Sequence, residues 1–173
     1  MPDGSVIKKQ DFLDLWRKLD SEIMYHKLKP IHFTVKEMDR QNVRIAAETL
    51  SRTVAGLFRK LFPNDTAKNT LANFIELAKL AFNILTSTHD DHFDFSKSSF
   101  GGKNIEKQLQ VLEDFHDQLS KTKFSGKPRF NNGALICIKA NILLQETLAK
   151  KHNIQSFKTR NTSQVFLAFI VIQ

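Results

Sequence analysis

The residues of this chain that could do chemistry fall into a few short runs. His89, Asp90, Asp91, His92 and Asp94 place two imidazoles and three carboxylates within six residues, donor types that suit a divalent ion. Their spacing matches no established ligand pattern, and a solvated, flexible loop is the simpler reading. Ser98-Ser99-Phe100-Gly101-Gly102-Lys103 looks superficially like a phosphate loop. It lacks the GxxxxGK[ST] pattern, and no strand is expected before it. From Lys121 to Phe130, cations alternate with Phe124 and Phe130, a pattern able to neutralise phosphates and stack on bases, or to serve as a flexible basic linker. Arg160, Asn161 and Gln164 could donate to phosphates or base edges, or tie down a final turn. Ser51 and Thr53 could approach His32, but no acid stands at a spacing that completes a nucleophilic triad.

Helices must position these groups. Phe12, Trp16, Leu19 and Ile23 make one stripe of a first helix over about 8–27. Lys29-Pro30 predicts extended chain. Thr34 and Glu37 then form a capping box, with Phe33 and Met38 as its staple. Val43, Ala47, Leu50, Val54, Leu57 and Leu61 run through a second helix that Pro63-Asn64-Asp65 ends. Further helices are expected over about 70–86, 104–120 and 133–151, with a polar loop at 88–102 and a basic linker at 121–132. The last helix is apolar most of the way round and is expected to be central. The closing run Val165–Ile172 is apolar throughout, and periodicity does not assign it to helix or strand.

With 173 residues, 41% hydrophobic and 25% charged, the chain can bury a real core. Fifteen Phe stand against one Trp and one Tyr, which favours a helical core over a base-stacking surface. A single Cys137 allows no internal disulfide and fits a reducing compartment. No apolar stretch reaches the ~18–20 residues of a membrane span, and the first residues lack the apolar core of a signal peptide. A soluble intracellular protein is therefore expected. The net charge of +8 is unevenly placed: residues 121–160 carry nine basic residues and only one acid, Glu146. The rest of the chain balances. A polyanion should therefore meet the C-terminal third, through Lys121, Lys123, Lys127, Arg129, Lys158 and Arg160. A solvated basic face without a ligand is the plainer alternative.

Two distant segments carry a resemblance. Asn42 to Ala55 (NVRIAAETLSRTVA) is similar to the "MxVxLAAQxLSxSVAxAL" helix of the P-element-type DNA transposases. Phe157 to Gln164 (FKTRNTSQ) resembles that family's "LLTxRxNQDxLExFF" segment, where its last catalytic acid sits. Between them, Ala72 to Ser87 looks like "TAxFIxxxNxxFDxLNS", and Lys27 to His32 looks like "KLTxxHI". The acids are not kept. Asn83 stands at the family's Asp in the third segment, Val165 at the Asp of the last, and Ala168 at its Glu.

The resemblance implies a mainly α fold of about five to six helices, a helical insertion within an RNase H-like catalytic domain. In the family this insertion binds GTP and helps arrange transposon DNA ends. The implied organisation is a lead-in over 1–33, a GTP-binding insertion domain over 34–160, and a remnant of the RNase H-like segment over 161–173. The implied function is a catalytically incomplete transposase module, nuclear, with GTP as cofactor and DNA as partner. Two-metal strand transfer needs carboxylates to hold both ions, so no catalytic residue and no metal ligand is assigned. The residues that touch GTP are not assigned, and oligomerisation is left open. The competing reading is a domesticated or degenerate helical scaffold that binds no nucleotide.

Overall fold

The structure is a computed structural model that describes residues 6, 8–21, 28–32, 43–91, 93–122 and 129–161. Among them are six α-helices: α1 (Lys9–Ser21), α2 (Val43–Thr49), α3 (Arg52–Leu61), α4 (Thr66–Leu85), α5 (Ile105–Lys121) and α6 (Arg129–His152). Two very short strands, β1 (Phe100–Gly101) and β2 (Ser156–Phe157), pair antiparallel. The expected mainly α fold is therefore observed. The chain forms two compact units, the first running to Lys79 and the second starting at Leu80, so the division falls within α4.

In the first unit, α1, α3 and the start of α4 bury one cluster. Leu15, Leu19, Val54, Ala55, Phe58, Leu71, Ala72 and Ile75 are its buried members, with Leu28 and Leu61 beside them. Phe58 is fully buried, and Phe12 meets its ring edge-on at 5.5 Å. Burying a Phe side chain stabilises a fold by about 2–3 kcal/mol. The end of α3 is tied down twice. The Lys18 ammonium donates to the Leu61 carbonyl at 2.7 Å, and it also lies 4.8 Å from the centre of the Phe62 ring. Lys68 stands 4.2 Å from the same ring.

The apolar stripe expected to run unbroken from Val43 to Leu61 is interrupted. Ser51 adopts extended backbone (φ −107°, ψ 154°), and its hydroxyl accepts from the Val54 amide at 3.3 Å. It is therefore an N-cap, and a new helix starts at Arg52. The stripe continues across the break, so periodicity alone hides it. The third predicted helix starts earlier than expected, at Thr66, because the Asp65 carboxylate accepts from the Lys68 amide at 3.0 Å. That bond, aided by the Lys68 ammonium, holds the Asp65 carboxyl below its ordinary range. The capping box at Thr34 and Glu37 and the staple of Phe33 and Met38 lie outside the described residues.

Arg59 on α3 donates to Asn73 at 2.8 Å and to Glu76 at 2.7 Å on α4. The Arg59 bond holds the Glu76 carboxyl below the usual glutamate range. A lowered carboxyl contributes stability that is present above its unfolded value and lost as pH falls through the folded one. Both side chains are more than a third exposed, so the contribution is about 0.5–1 kcal/mol. Urea unfolding at about pH 7 should show Glu76→Gln weaker than wild type by that amount, and at about pH 3 the gap should close.

In the second unit, the end of α4 supplies Ala81, Ile84 and Leu85, and α5 supplies Leu112, Phe115 and Leu119. α6 buries Ala134, Cys137, Ile138, Asn141 and Gln145. It is not apolar-buried all round as expected. Ile136 and Leu143 are 68% and 61% exposed, so one face of the helix is open to solvent. α6 is closed by Asn153, the residue just past its end, whose positive φ of 54° accompanies a bond from the Ile154 amide back to the Leu148 carbonyl. Lys150, Lys151 and His152 occupy its last turn, where cations complement the helix dipole. No described helix is long and apolar enough to cross a membrane.

Candidate functional site

The segment after α6 is fastened to the end of α4 through one residue. Thr159 is fully buried. Its hydroxyl donates to the Ile84 carbonyl and accepts from the Ser87 amide at 3.2 Å. The Ser87 hydroxyl donates to Thr159 Oγ1 at 3.0 Å and accepts from the Thr159 amide at 3.4 Å. This assignment gives each of the four polar groups a partner, as burial requires. The Arg160 amide adds a bond to the Ser87 carbonyl at 3.2 Å. With Thr159 turned inward, its neighbours Lys158 and Arg160 are both exposed. The fold thus presents two cations, either side of a rigid anchor.

The other predicted cations are placed differently. Lys121 is the last residue of α5, exposed and bridged to Asp117, four residues earlier. That hydrogen bond, with the charge of the ammonium, holds the Asp117 carboxyl low. Part of the Lys121 charge is therefore already answered. Arg129 opens α6, with its side chain outside the described residues, and Lys123 and Lys127 lie outside them altogether. Among the predicted cations whose side chains are described, Lys158 and Arg160 are exposed on either side of buried Thr159.

The described residues between His89 and Lys103 form the expected loop, and many of its polar groups bond to one another. The Asp91 carboxylate accepts from the Phe93 and Asp94 amides at 2.9 and 3.1 Å, bonds that hold its pKa low, and Lys97 adds a weaker pull. Asp90 accepts from the Ser99 amide at 3.0 Å. Asp94 accepts from both the amide and the hydroxyl of Ser96. The carboxylates are spent on the loop's own backbone and on Lys97, and no cluster of three or more metal-binding side chains occurs among the described residues. His89 Nδ1 bonds the Thr88 hydroxyl, and His92 lies outside the described residues.

At the centre of this loop is Gln108, a fully buried side chain on α5. Its carbonyl oxygen accepts from the Gly101 amide at 2.9 Å. Its NH₂ donates to the carbonyls of Phe95 and Ser99 at 2.9 and 3.1 Å, with Ser98 at 3.4 Å. The Gly102 amide donates to the Gln155 carbonyl at 2.8 Å. As expected, no strand precedes the run among the described residues; Gly101 is itself the second residue of β1, and both glycine amides are consumed within the protein. A phosphate loop needs such amides free, so the geometry argues against one here. Nearby, Asn83 donates to the Ser96 hydroxyl at 3.1 Å. In the first unit, His32 Nε2 and Glu48 Oε2 are 3.0 Å apart, so an acid does stand beside this imidazole, contrary to expectation, while Ser51 Oγ is engaged as the cap of α3.

Sequence reading passed over Gln108, Ser87 and Thr159. A signal was available for one of them. Gln108, Leu112, Phe115 and Leu119 recur at four, three and four, so a glutamine sits in line with the buried stripe of α5. A polar residue on that stripe marks a buried, bonded group.

The architecture defined by these helices and clasped ends has a known counterpart. A solved structure described as the Drosophila P element transposase strand transfer complex matches with a TM-score of 0.82 over 93% of this chain, at 18% sequence identity. The chain shares its fold with part of that transposase and spans 38% of the matched chain's length. No family model and no curated protein matches the sequence.

Proposed function

We propose that this chain is a helical insertion module of a P-element-type transposase, one that associates with DNA and a guanine nucleotide but does not perform strand transfer alone. The observation that carries the reading is the likeness of fold over 93% of the chain to a transposase in a strand transfer complex. The charge distribution supports DNA as the partner: the excess of cations sits in residues 121–160, and Thr159 holds Lys158 and Arg160 out toward solvent. Such exposed cations neutralise phosphates and release counterions, a sequence-independent attraction. GTP enters through the sequence resemblance, and a nuclear location follows from DNA as partner. The catalytic role is set aside because Asn83, Val165 and Ala168 stand where the family has acids; the last two lie outside the described residues.

The test is salt-dependent DNA binding of the full chain, with a thermal shift under GTP measured in parallel. Wild type should bind duplex DNA with an affinity that falls steeply with salt. Lys158→Gln with Arg160→Gln should lower the slope of log K against log salt by about 2 and weaken binding roughly tenfold. Absence of both salt-sensitive DNA binding and a GTP-dependent shift would sink the proposal. A second reading, a helical scaffold that binds no nucleotide, is favoured by one observation: the Asn83 amide and both glycine amides are already bonded internally. DNA binding without any GTP shift would select it.

A further inference from the structure

The exposed faces of α5 and α6 carry opposite charge. Along α5, Glu106, Glu113, Asp114 and Asp117 are exposed, with Lys107 and Lys121 against them. Along α6, Lys139, Lys150 and Lys151 are exposed, with only Glu146 against them, and Glu146 already pairs with Lys150 at 3.6 Å. The two helices pack side by side, and a groove of about 410 Å³ runs between them. Glu113, Asp114, His116 and Asp117 line its α5 wall, and Lys139 and Ile142 line its α6 wall. Glu113 and Lys139 form no ion pair among the described residues.

Two large apolar side chains stand on the same layer. Ile136 and Leu143 are seven residues apart, two turns of one face of α6, with Ala140 and Thr147 exposed between and beyond them. They are the exposed large hydrophobics that lie within α-helices among the described residues. An apolar stripe bordered by cations, beside a row of acids, is self-complementary under a two-fold axis parallel to the helices. Such an axis lays α6 of one copy on α5 of the other, twice.

We infer that this α5–α6 layer is an interface between two copies of the chain. Lys139 of each copy meets Glu113 of the other, whereas Asp117 stays with Lys121 of its own helix, and Ile136 and Leu143 leave water against the aliphatic stems of the opposing α5. The size is sufficient for a weak dimer. At 1.5 Å per residue, the 17 residues of α5 span about 26 Å, and two helices side by side are about 20 Å wide. Each copy then offers on the order of 500 Å², and about 1,000 Å² in total is the lower limit for specific association. The dissociation constant should be micromolar, and like-charged alternatives such as α6 on α6 are excluded by the lysine row. The dimer depends on neither nucleotide nor DNA.

Sedimentation velocity on the full chain tests this. Wild type should form dimers as its concentration rises through roughly 1–200 µM, less so in high salt. Leu143→Asp should be monomeric over that range. Lys139→Glu alone and Glu113→Lys alone should each weaken the dimer about tenfold, and the two together should restore it, because the pair is reversed across the interface. All three positions are exposed or line the groove, so far-UV circular dichroism should stay at wild-type helicity. A wild type that stays monomeric, a dimer that ignores these substitutions, or a double reversal that fails to restore it would overturn the inference.

Discussion

Gln108→Leu should cost the protein about 3–5 kcal/mol, although the two side chains are close in size. The loss is not of packing. Leucine leaves the Gly101 amide and the carbonyls of Phe95, Ser98 and Ser99 without the partner that Gln108 supplies. Each orphaned buried group costs about 1–3 kcal/mol, and relaxation of the loop toward water recovers part of the sum. Thermal unfolding should shift down by roughly 10–15 °C for a chain of this length. Gln108→Glu separates the contributions. It keeps an acceptor for Gly101 but turns a second oxygen toward the three carbonyls, so it should be at least as damaging. A shift under about 2 °C in either variant would show that Gln108 does not organise the loop.

Gly101→Ala should be worse than its modest chemistry suggests, at about 4 kcal/mol or more. Gly101 has φ +119°, a conformation that side-chain-bearing residues rarely adopt. An added methyl would fall inside contact distance of the Gln155 carbonyl oxygen and 2.9 Å from Ser156 Cα, both backbone atoms that cannot rotate aside. The β1–β2 pair must open, which also separates the Phe100 and Phe157 rings, now 5.9 Å apart. The adjacent glycine provides the control. A methyl on Gly102 meets nothing closer than 3.9 Å, so Gly102→Ala should cost only the strain of its φ of +58°, about 1 kcal/mol. Chemical denaturation of the two variants should show that difference, and equal losses would mean the close approach of Gln155 is not what requires Gly101.

The helices could be read in the sequence because each buries a stripe at 3.6-residue spacing, and α1, α4, α5 and α6 lie close to their expected positions. The break at Ser51 could not be read that way, since Leu50 and Val54 keep the stripe's phase while the backbone between them turns extended. The exposed face of α6 was missed because Ile136 and Leu143 are apolar by type, and type alone does not say which side of a helix faces solvent. The polar loop was expected, but its internal hydrogen bonding was missed for a different reason. Its order comes from a glutamine in the following helix and from Gln155, far along the chain, and two-residue strands carry no periodicity to detect. As for the candidate site, the sequence shows a C-terminal excess of cations, but not that a buried threonine between Lys158 and Arg160 turns both outward.

The fastenings of the second unit differ in how far apart along the chain their partners lie. Gln108 reaches back no more than 13 residues, whereas Thr159 joins residues 72 and 75 positions away. Closing a long loop costs more entropy than closing a short one, and contacts of large separation form slowly. During synthesis, the glutamine and its loop are all available once α5 has emerged, while the threonine arrives some forty residues later. The order of assembly is therefore built into the numbering: a locally finished loop waits, open on one side, for the strand that completes it.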